Sequence, residues 1–187
     1  MSSIRSFIAL PTSDSVRDRI IKIQEELKQF GADVKWDSPD KFHITLKFLG
    51  NVELQVLEKL TAELEATISQ HAAFDLTYQR VGAFPDATRP RVVWVGTSQS
   101  NELSSVQQSV EEICTRFGFA KEDRAFNPHI TLGRVKGTRN IHRLTEKLKN
   151  ITFDPTNSRC TELLVMRSDL HPSGSVYSVL KSIPLKP

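Results

Sequence analysis

The pattern His-x-Thr occurs twice in this chain, as His43-Ile44-Thr45-Leu46 and as His129-Ile130-Thr131-Leu132, 86 residues apart. On a strand, residues i and i+2 share a face and residue i+1 points the other way. His43 and Thr45 therefore point together, while Ile44, Leu46 and Phe48 point away. The second copy repeats this with His129 and Thr131 against Ile130 and Leu132. An imidazole, with an ordinary pKa of about 6.5, is available as base or acid near neutrality. Two of them facing one substrate supply a proton acceptor and a proton donor. Threonine hydroxyls beside them supply hydrogen bonds to a developing oxyanion. That set suits in-line hydrolysis of a phosphodiester and asks for no metal. The rival use of histidine, zinc binding, wants three or four ligands. No cysteine lies near either histidine in the sequence and no carboxylate shares their strand faces, so neither metal nor other cofactor is expected.

The two copies differ in one informative place: Arg134 stands where the first copy has Phe48. A guanidinium there would suit a phosphate, which it grips through paired hydrogen bonds. Strict alternation, however, puts residue 134 on the face opposite His129. A bulge or twist at Gly133 is needed to bring it round. Phe48 and Trp94 are read as core residues, and Arg5 as pointing into the cleft or to solvent, with solvent the default.

The elements that must position these residues also repeat. The offset of 86 carries Arg5 onto Arg91, the apolar run 7–10 onto 93–96, and the helical pattern from Asp14 onto the one from Ser100. That reads as one α/β unit used twice about an approximate two-fold axis, spanning roughly 4–85 and 90–171. No Gly/Ser linker divides the halves, so residues 1–187 are taken as one domain with two lobes. Residues 4–10 read as a buried strand closed by Pro11. Thr12 to Asp14 offer N-cap chemistry, and Val16, Ile20, Ile23, Leu27 and Phe30 stripe a helix that Gly31 ends. The first motif strand, 42–49, is expected to break at Gly50 and Asn51. A helix striped by Leu54, Leu57, Leu60, Leu64 and Ile68 and a strand over 74–84 follow. The second half gives a strand over 91–96, a helix striped by Leu103, Val106, Val110, Ile113 and Phe117, a patternless loop over 118–127, the second motif strand over 130–135, and a short helix from Ile141. Residues 161–168 and 175–183 read as final strands around a turn at 171–174, with His171 exposed. His71, near a helix end, is read as structural.

The chain has 187 residues, 39% hydrophobic and 25% charged, with a net charge of +3. This is enough for one substantial core and permits a polyanionic substrate without requiring one. Cys114 and Cys160 are too few for a disulfide framework, are expected to pack as small apolar residues, and favour a reducing compartment. The N-terminus has no long apolar run of the signal-peptide kind, and no apolar stretch approaches membrane-spanning length.

The runs His43-Ile-Thr-Leu-Lys-Phe-Leu-Gly50 and Asn127-Pro-His-Ile-Thr-Leu-Gly-Arg134 resemble the paired motifs of the 2H phosphoesterase superfamily. Within it, the RNA 2′,3′-cyclic phosphodiesterases, also described as 2′-5′ RNA ligases, are the nearer likeness. Phe7-Ile-Ala-Leu-Pro11, Pro90-Arg-Val-Val-Trp-Val-Gly96 and Leu170-His-Pro-Ser-Gly-Ser-Val-Tyr177 resemble that family too. The similarity runs over nearly the whole chain, with no departure at either motif. The resemblance implies an α+β fold of two pseudo-symmetric lobes, each an antiparallel sheet with two helices, flanking a central cleft that holds both motifs. It implies hydrolysis of a terminal 2′,3′-cyclic phosphate on RNA to a 2′-phosphate, with His43 as proton donor and His129 as proton acceptor. Thr45 and Thr131 would hold non-bridging oxygens and Arg134 would assist. By symmetry the residues alone allow either order of the histidines. Reversal would join RNA ends through a 2′-5′ linkage without ATP. The expected partners are RNA ends carrying a cyclic phosphate, tRNA fragments among them, or small cyclic nucleotides, met by a cytoplasmic monomer. Two other readings stay open: a non-catalytic nucleotide- or RNA-binding module, and a 2H enzyme for another 2′-linked phosphodiester such as 2′-5′ oligoadenylate.

Overall fold

A computed structural model describes residues 3–172 and 174–187. In chain order the elements are β1 (Ser3–Pro11), α1 (Asp14–Lys28), β2 (Val34–Trp36), β3 (His43–Glu53), α2 (Leu54–Ile68), β4 (Phe74–Phe84), β5 (Val92–Thr97), α3 (Asn101–Arg116), β6 (His129–Val135), α4 (Ile141–Asn150), β7 (Thr156–Cys160), β8 (Glu162–His171) and β9 (Gly174–Pro184). The capping signals act where the sequence puts them. Ser13 and Ser100 accept hydrogen bonds from the amides of Val16 and Leu103 and so satisfy free donors at the starts of α1 and α3. Thr12 does something else: its buried hydroxyl donates to the Phe42 carbonyl at 2.8 Å, tying the end of β1 to the residue before His43.

The fold is α+β, with two antiparallel sheets and four helices. One sheet has the order β3-β1-β8-β9 and the other β2-β6-β5-β4-β7. Helices α2 and α3 pack on the first sheet, α1 and α4 on the second. The sheets are therefore not the two halves of the chain. Within each half the last strand crosses over: β4 joins β5 and β6, and β8 joins β1 and β3. Helices α1 and α3 cross in the same way. Below the sheets, Ile8, Leu10, Ile44, Leu46 and their second-half mates Val93, Val95, Ile130 and Leu132 are buried in one apolar cluster. Each such side chain contributes about 1.5–3 kcal/mol on leaving water, and the apolar face of each motif strand is thereby fixed inward.

Both motif strands carry a bulge at the same place. In β3, Thr45 pairs with Ala9 and Lys47 with Ile8, which leaves Leu46 unpaired. In β6, Thr131 pairs with Trp94 and Gly133 with Val93, which leaves Leu132 unpaired. An extra residue reverses the alternation beyond it, so Phe48 and Arg134 return to the histidine face. The register also corrects the internal alignment of the first strands. Ala9 is the mate of Trp94 and Ile8 of Val93, an offset of 85. The offset of 86 holds for the motif strands only. Trp94 therefore lies on the cleft face rather than in the core.

Other expectations need amending. Gly50 does not end β3: it adopts φ 69° beside a second bulge at Leu49, and the strand continues to Glu53. Strand β7 lacks any apolar alternation and escaped the periodicity. Phe48 is 67% exposed rather than buried, and Arg5 lines a cavity described below. The 171–174 turn includes Ser173, which lies outside the described residues; His171 is exposed at the end of β8. His71 is half-buried, with its Nε2 3.0 Å from the Ser109 hydroxyl. Cys114 and Cys160 are buried and unpaired, and burial pushes both thiols up to about 12. Among the described residues no helix is long and apolar enough to cross a membrane.

Candidate active site

The two sheets meet along β3 and β6, the strands that open with His43 and His129. Each ring is steered by the carbonyl two residues before it. His129 Nδ1 lies 2.7 Å from the Asn127 carbonyl oxygen. A carbonyl only accepts, so this nitrogen carries the proton and Nε2 is left as the acceptor of the neutral ring. His43 is also hydrogen-bonded to the backbone of Lys41. The repeat thus duplicates a hydrogen bond to the backbone two residues back as well as the histidine. Around the rings the halves differ. His43 stacks on Phe7 at 4.9 Å and meets the edge of Tyr177 at 5.5 Å. His129 meets the edge of Phe84 at 4.9 Å and lies 6.2 Å from Trp94. The Trp94 indole lies flat over Gly82 and Gly96. A Cβ at either glycine would come within 2.4 or 2.8 Å of its ring, so only glycine permits this pose. The Arg80 guanidinium sits 5.6 Å from the indole centroid.

Thr45 and Thr131 follow their histidines on the same face, half-buried. Arg134 is brought round by the bulge at Leu132 and acts electrostatically on His129. The bulge has a clamp that periodicity hides. Gln24, buried in the apolar stripe of α1, donates through Nε2 to the carbonyls of Asp37 at 2.7 Å and Leu132 at 3.0 Å. The Asp37 amide donates to the same Leu132 carbonyl at 2.8 Å. The signal was a lone amide side chain four residues after Ile20 on an otherwise apolar face. A second hidden brace is buried Lys47, the mate of Gly133. Its ammonium donates to Glu111 and to the Ala120 carbonyl, both at 2.6 Å. Glu111 also accepts from the Glu122 amide at 2.9 Å. This pair holds down the 118–127 loop that delivers His129.

Burial depresses the pKa of both imidazoles. It takes His43 from 6.5 down to about 4, opposed by the hydrogen bond to the Lys41 backbone and helped by the charge of His129. His129 is lowered as well, by burial first and then by Arg134, with the Asn127 carbonyl opposing. That His129 acts on His43 places the two groups within electrostatic reach of each other. Beside them opens a cavity of about 390 Å³. The histidines do not wall it; Phe7, Tyr177 and Arg134 do, and these connect it to both rings. Asp37 is its one carboxylate, raised by burial and held back by Arg134, Lys41 and Lys35. Among the described residues no group of three or more His, Cys, Asp or Glu side chains is arranged to hold a metal.

The sequence profile of the 2′-5′ RNA ligase superfamily matches residues 12–172. The chain belongs to that superfamily. Its relatives in the superfamily include the RNA 2′,3′-cyclic phosphodiesterase of Methanothermobacter thermautotrophicus, 34% identical over 178 residues, 94% of this chain and 95% of the relative. The enzyme of the same name from Archaeoglobus fulgidus is 33% identical over 179 residues, 95% of this chain and 98% of the relative. Solved structures share the fold. The crystal structure of E. coli LigT superposes with a TM-score of 0.81 over all of both chains at 24% identity. The same protein has been crystallised with 3′-AMP, a structure that matches with a TM-score of 0.80.

Proposed function

We propose that this protein opens the terminal 2′,3′-cyclic phosphate of RNA to a 2′-phosphate by acid–base catalysis between His43 and His129. The observation that supports the reading is the duplicated motif: two His-x-Thr strands in contact with each other, each histidine hydrogen-bonded to the backbone two residues back. The phosphodiesterase relatives, similar over nearly the whole chain, point to the same substrate class. His129 takes the proton of an attacking water as its oxygen bonds to phosphorus. The bond from phosphorus to the 3′-oxygen breaks, and His43 protonates that oxygen. Thr45 and Thr131 donate to the non-bridging oxygens, and Arg134 neutralises the charge that gathers there. A 5′-hydroxyl in place of water would give a 2′-5′ linkage at the same site. The order of the histidines follows the family pattern, with His43 as donor. In the free site burial takes His43 far below 6.5, so an anionic phosphate between the rings must restore its proton before it can give one. The protein acts as a cytoplasmic monomer on this reading.

The test is a substrate panel: 2′,3′-cyclic mononucleotides, RNA with a cyclic end, and 2′-5′ linked dinucleotides, with products resolved by chromatography. Release of 2′-phosphates from the cyclic compounds is expected. Tight binding of a nucleoside 2′-phosphate with no turnover of any cyclic compound would instead make the chain a binding module, and 3′-phosphate products would contradict the assigned leaving group.

A further inference from the structure

We propose that Lys47 and Glu111 are positioning residues for His129, a buried pair that pins the loop leading into the second motif strand to the first motif strand. The inference rests on the function proposed above and adds what sets the two histidines in place relative to each other. Among the described residues these two are the only charged residues that are buried. Lys47 follows the bulge at Leu46 in β3. Its ammonium donates to Glu111 of α3 and to the Ala120 carbonyl, both at 2.6 Å, and Glu111 accepts from the Glu122 amide at 2.9 Å. Residues 120–125 are exposed. Beyond Glu122 the next anchored backbone group is the Asn127 carbonyl, which accepts from His129 itself. The place of that carbonyl, and with it the tautomer of His129, therefore depends on where the pair pins the loop.

The repeat supports this role. Counted from the capping serines Ser13 and Ser100, Gln24 and Glu111 stand at the same place in α1 and α3. Each is the one amide or acid among the buried residues of its helix. Each meets a motif strand at its bulge: Gln24 at the Leu132 carbonyl, Glu111 at Lys47 just past Leu46. Each also reaches the chain ahead of the other histidine: Gln24 the Asp37 carbonyl before His43, Glu111 the Glu122 amide before His129. The two clamps cross, each joining one motif strand to the approach of the other imidazole. Folding alone does not ask for charge here. A buried ion pair is often matched or bettered by apolar residues of similar volume, and Glu111 Oε2 finds no hydrogen-bond partner. What apolar residues cannot replace is the hold on the Ala120 carbonyl and the Glu122 amide.

The experiment separates position from stability. Lys47→Met or Glu111→Leu alone leaves the other charge buried and unpaired, which destabilises the fold whatever the role. The informative protein is the full chain carrying both. Its unfolding midpoint should lie near that of the wild type. Its kcat on 2′,3′-cyclic AMP should still be lower by roughly 10- to 100-fold, as for a group displaced by about 1 Å, with KM little changed. Wild-type kcat in the folded double variant, or a loss that falls on KM alone, would overturn the assignment. Should the double variant unfold or lose stability, Glu122→Pro decides in its place, since it removes only the loop-side donor at an exposed position. Reduced kcat with an unchanged midpoint then supports the pinning, and unchanged kcat refutes it. A wild type that turns over no cyclic nucleotide refutes the hydrolytic reading. The pair is then judged by nitrogen-15 NMR of the imidazoles at about pH 8, where the rings are neutral. A single Nδ1-protonated tautomer of His129 in the wild type and a mixture in the folded variant support the assignment, and the same single tautomer in both refutes it.

Discussion

At the scale of the residue, the site depends on what surrounds two imidazoles. The Asn127 carbonyl, just before β6, fixes the tautomer of His129, and the Lys41 backbone, just before β3, is hydrogen-bonded to His43. Burial then favours the neutral ring. Its effect on pH dependence has a definite sign. Catalysis needs one ring charged and one neutral, and both pKa values lie below 6.5, that of His43 at about 4. As pH falls from 8, the singly protonated pair becomes more populated, reaches a maximum between the two values, and declines below the lower one. The bell of kcat/KM, which reports the free enzyme, should therefore peak below pH 6.5. An optimum at or above 8 would show that the rings are not held neutral by burial. The paired His-x-Thr motifs were legible in the sequence because chemistry constrains residue type. The environment of each ring was not, since Phe7, Tyr177, Phe84 and Trp94 arrive from strands whose pairing only the fold decides.

Among the elements, the bulge in each motif strand has the largest consequence. Simple alternation turns Phe48 and Arg134 away from the histidines, and one unpaired leucine in each strand turns them back. The need for irregularity near Gly133 could be argued from the requirement on Arg134. The matching bulge before Phe48 could not, because no such requirement draws attention to it. Trp94 was misplaced for a related reason. The offset of 86 aligns it with Ile8, a core residue, whereas the strand pairing aligns it with Ala9. Gln24 holds the bulge of β6 through two carbonyls. Gln24→Leu leaves the half-buried Asp37 carbonyl without that donor, at a cost of about 1 kcal/mol, and frees Arg134 to drift. It should lower both the unfolding midpoint and kcat. In combination with Arg134→Ala it should lower kcat no further than Arg134→Ala alone. If the two losses of kcat multiplied, Gln24 would be acting on some other group and the clamp would be wrongly assigned.

For the molecule as a whole, the repeat is real in its strands and interleaved in its construction. The helices and most strands were legible because amphipathic periods are local. The exchange of β4 with β8 and of α1 with α3 was not, since each half is equally apolar whichever sheet it joins. Each sheet includes strands from the other half, β8 in the first and β2 and β4 in the second, and we propose that the chain folds as one unit for that reason. The same interleaving sets β3 against β6, and on the proposed reading a histidine from each half serves one phosphate. If they form one machine, removing either should cost nearly as much as removing both. The decisive measurement is the rate of 2′,3′-cyclic nucleotide hydrolysis, with EDTA present, by the wild type, His43→Ala, His129→Ala and the double variant. The wild type should keep its full rate in EDTA. Each single variant should fall by at least about 10²-fold, and the double variant little further. Full activity in either single variant, or loss of wild-type activity to EDTA, would contradict a paired-histidine site.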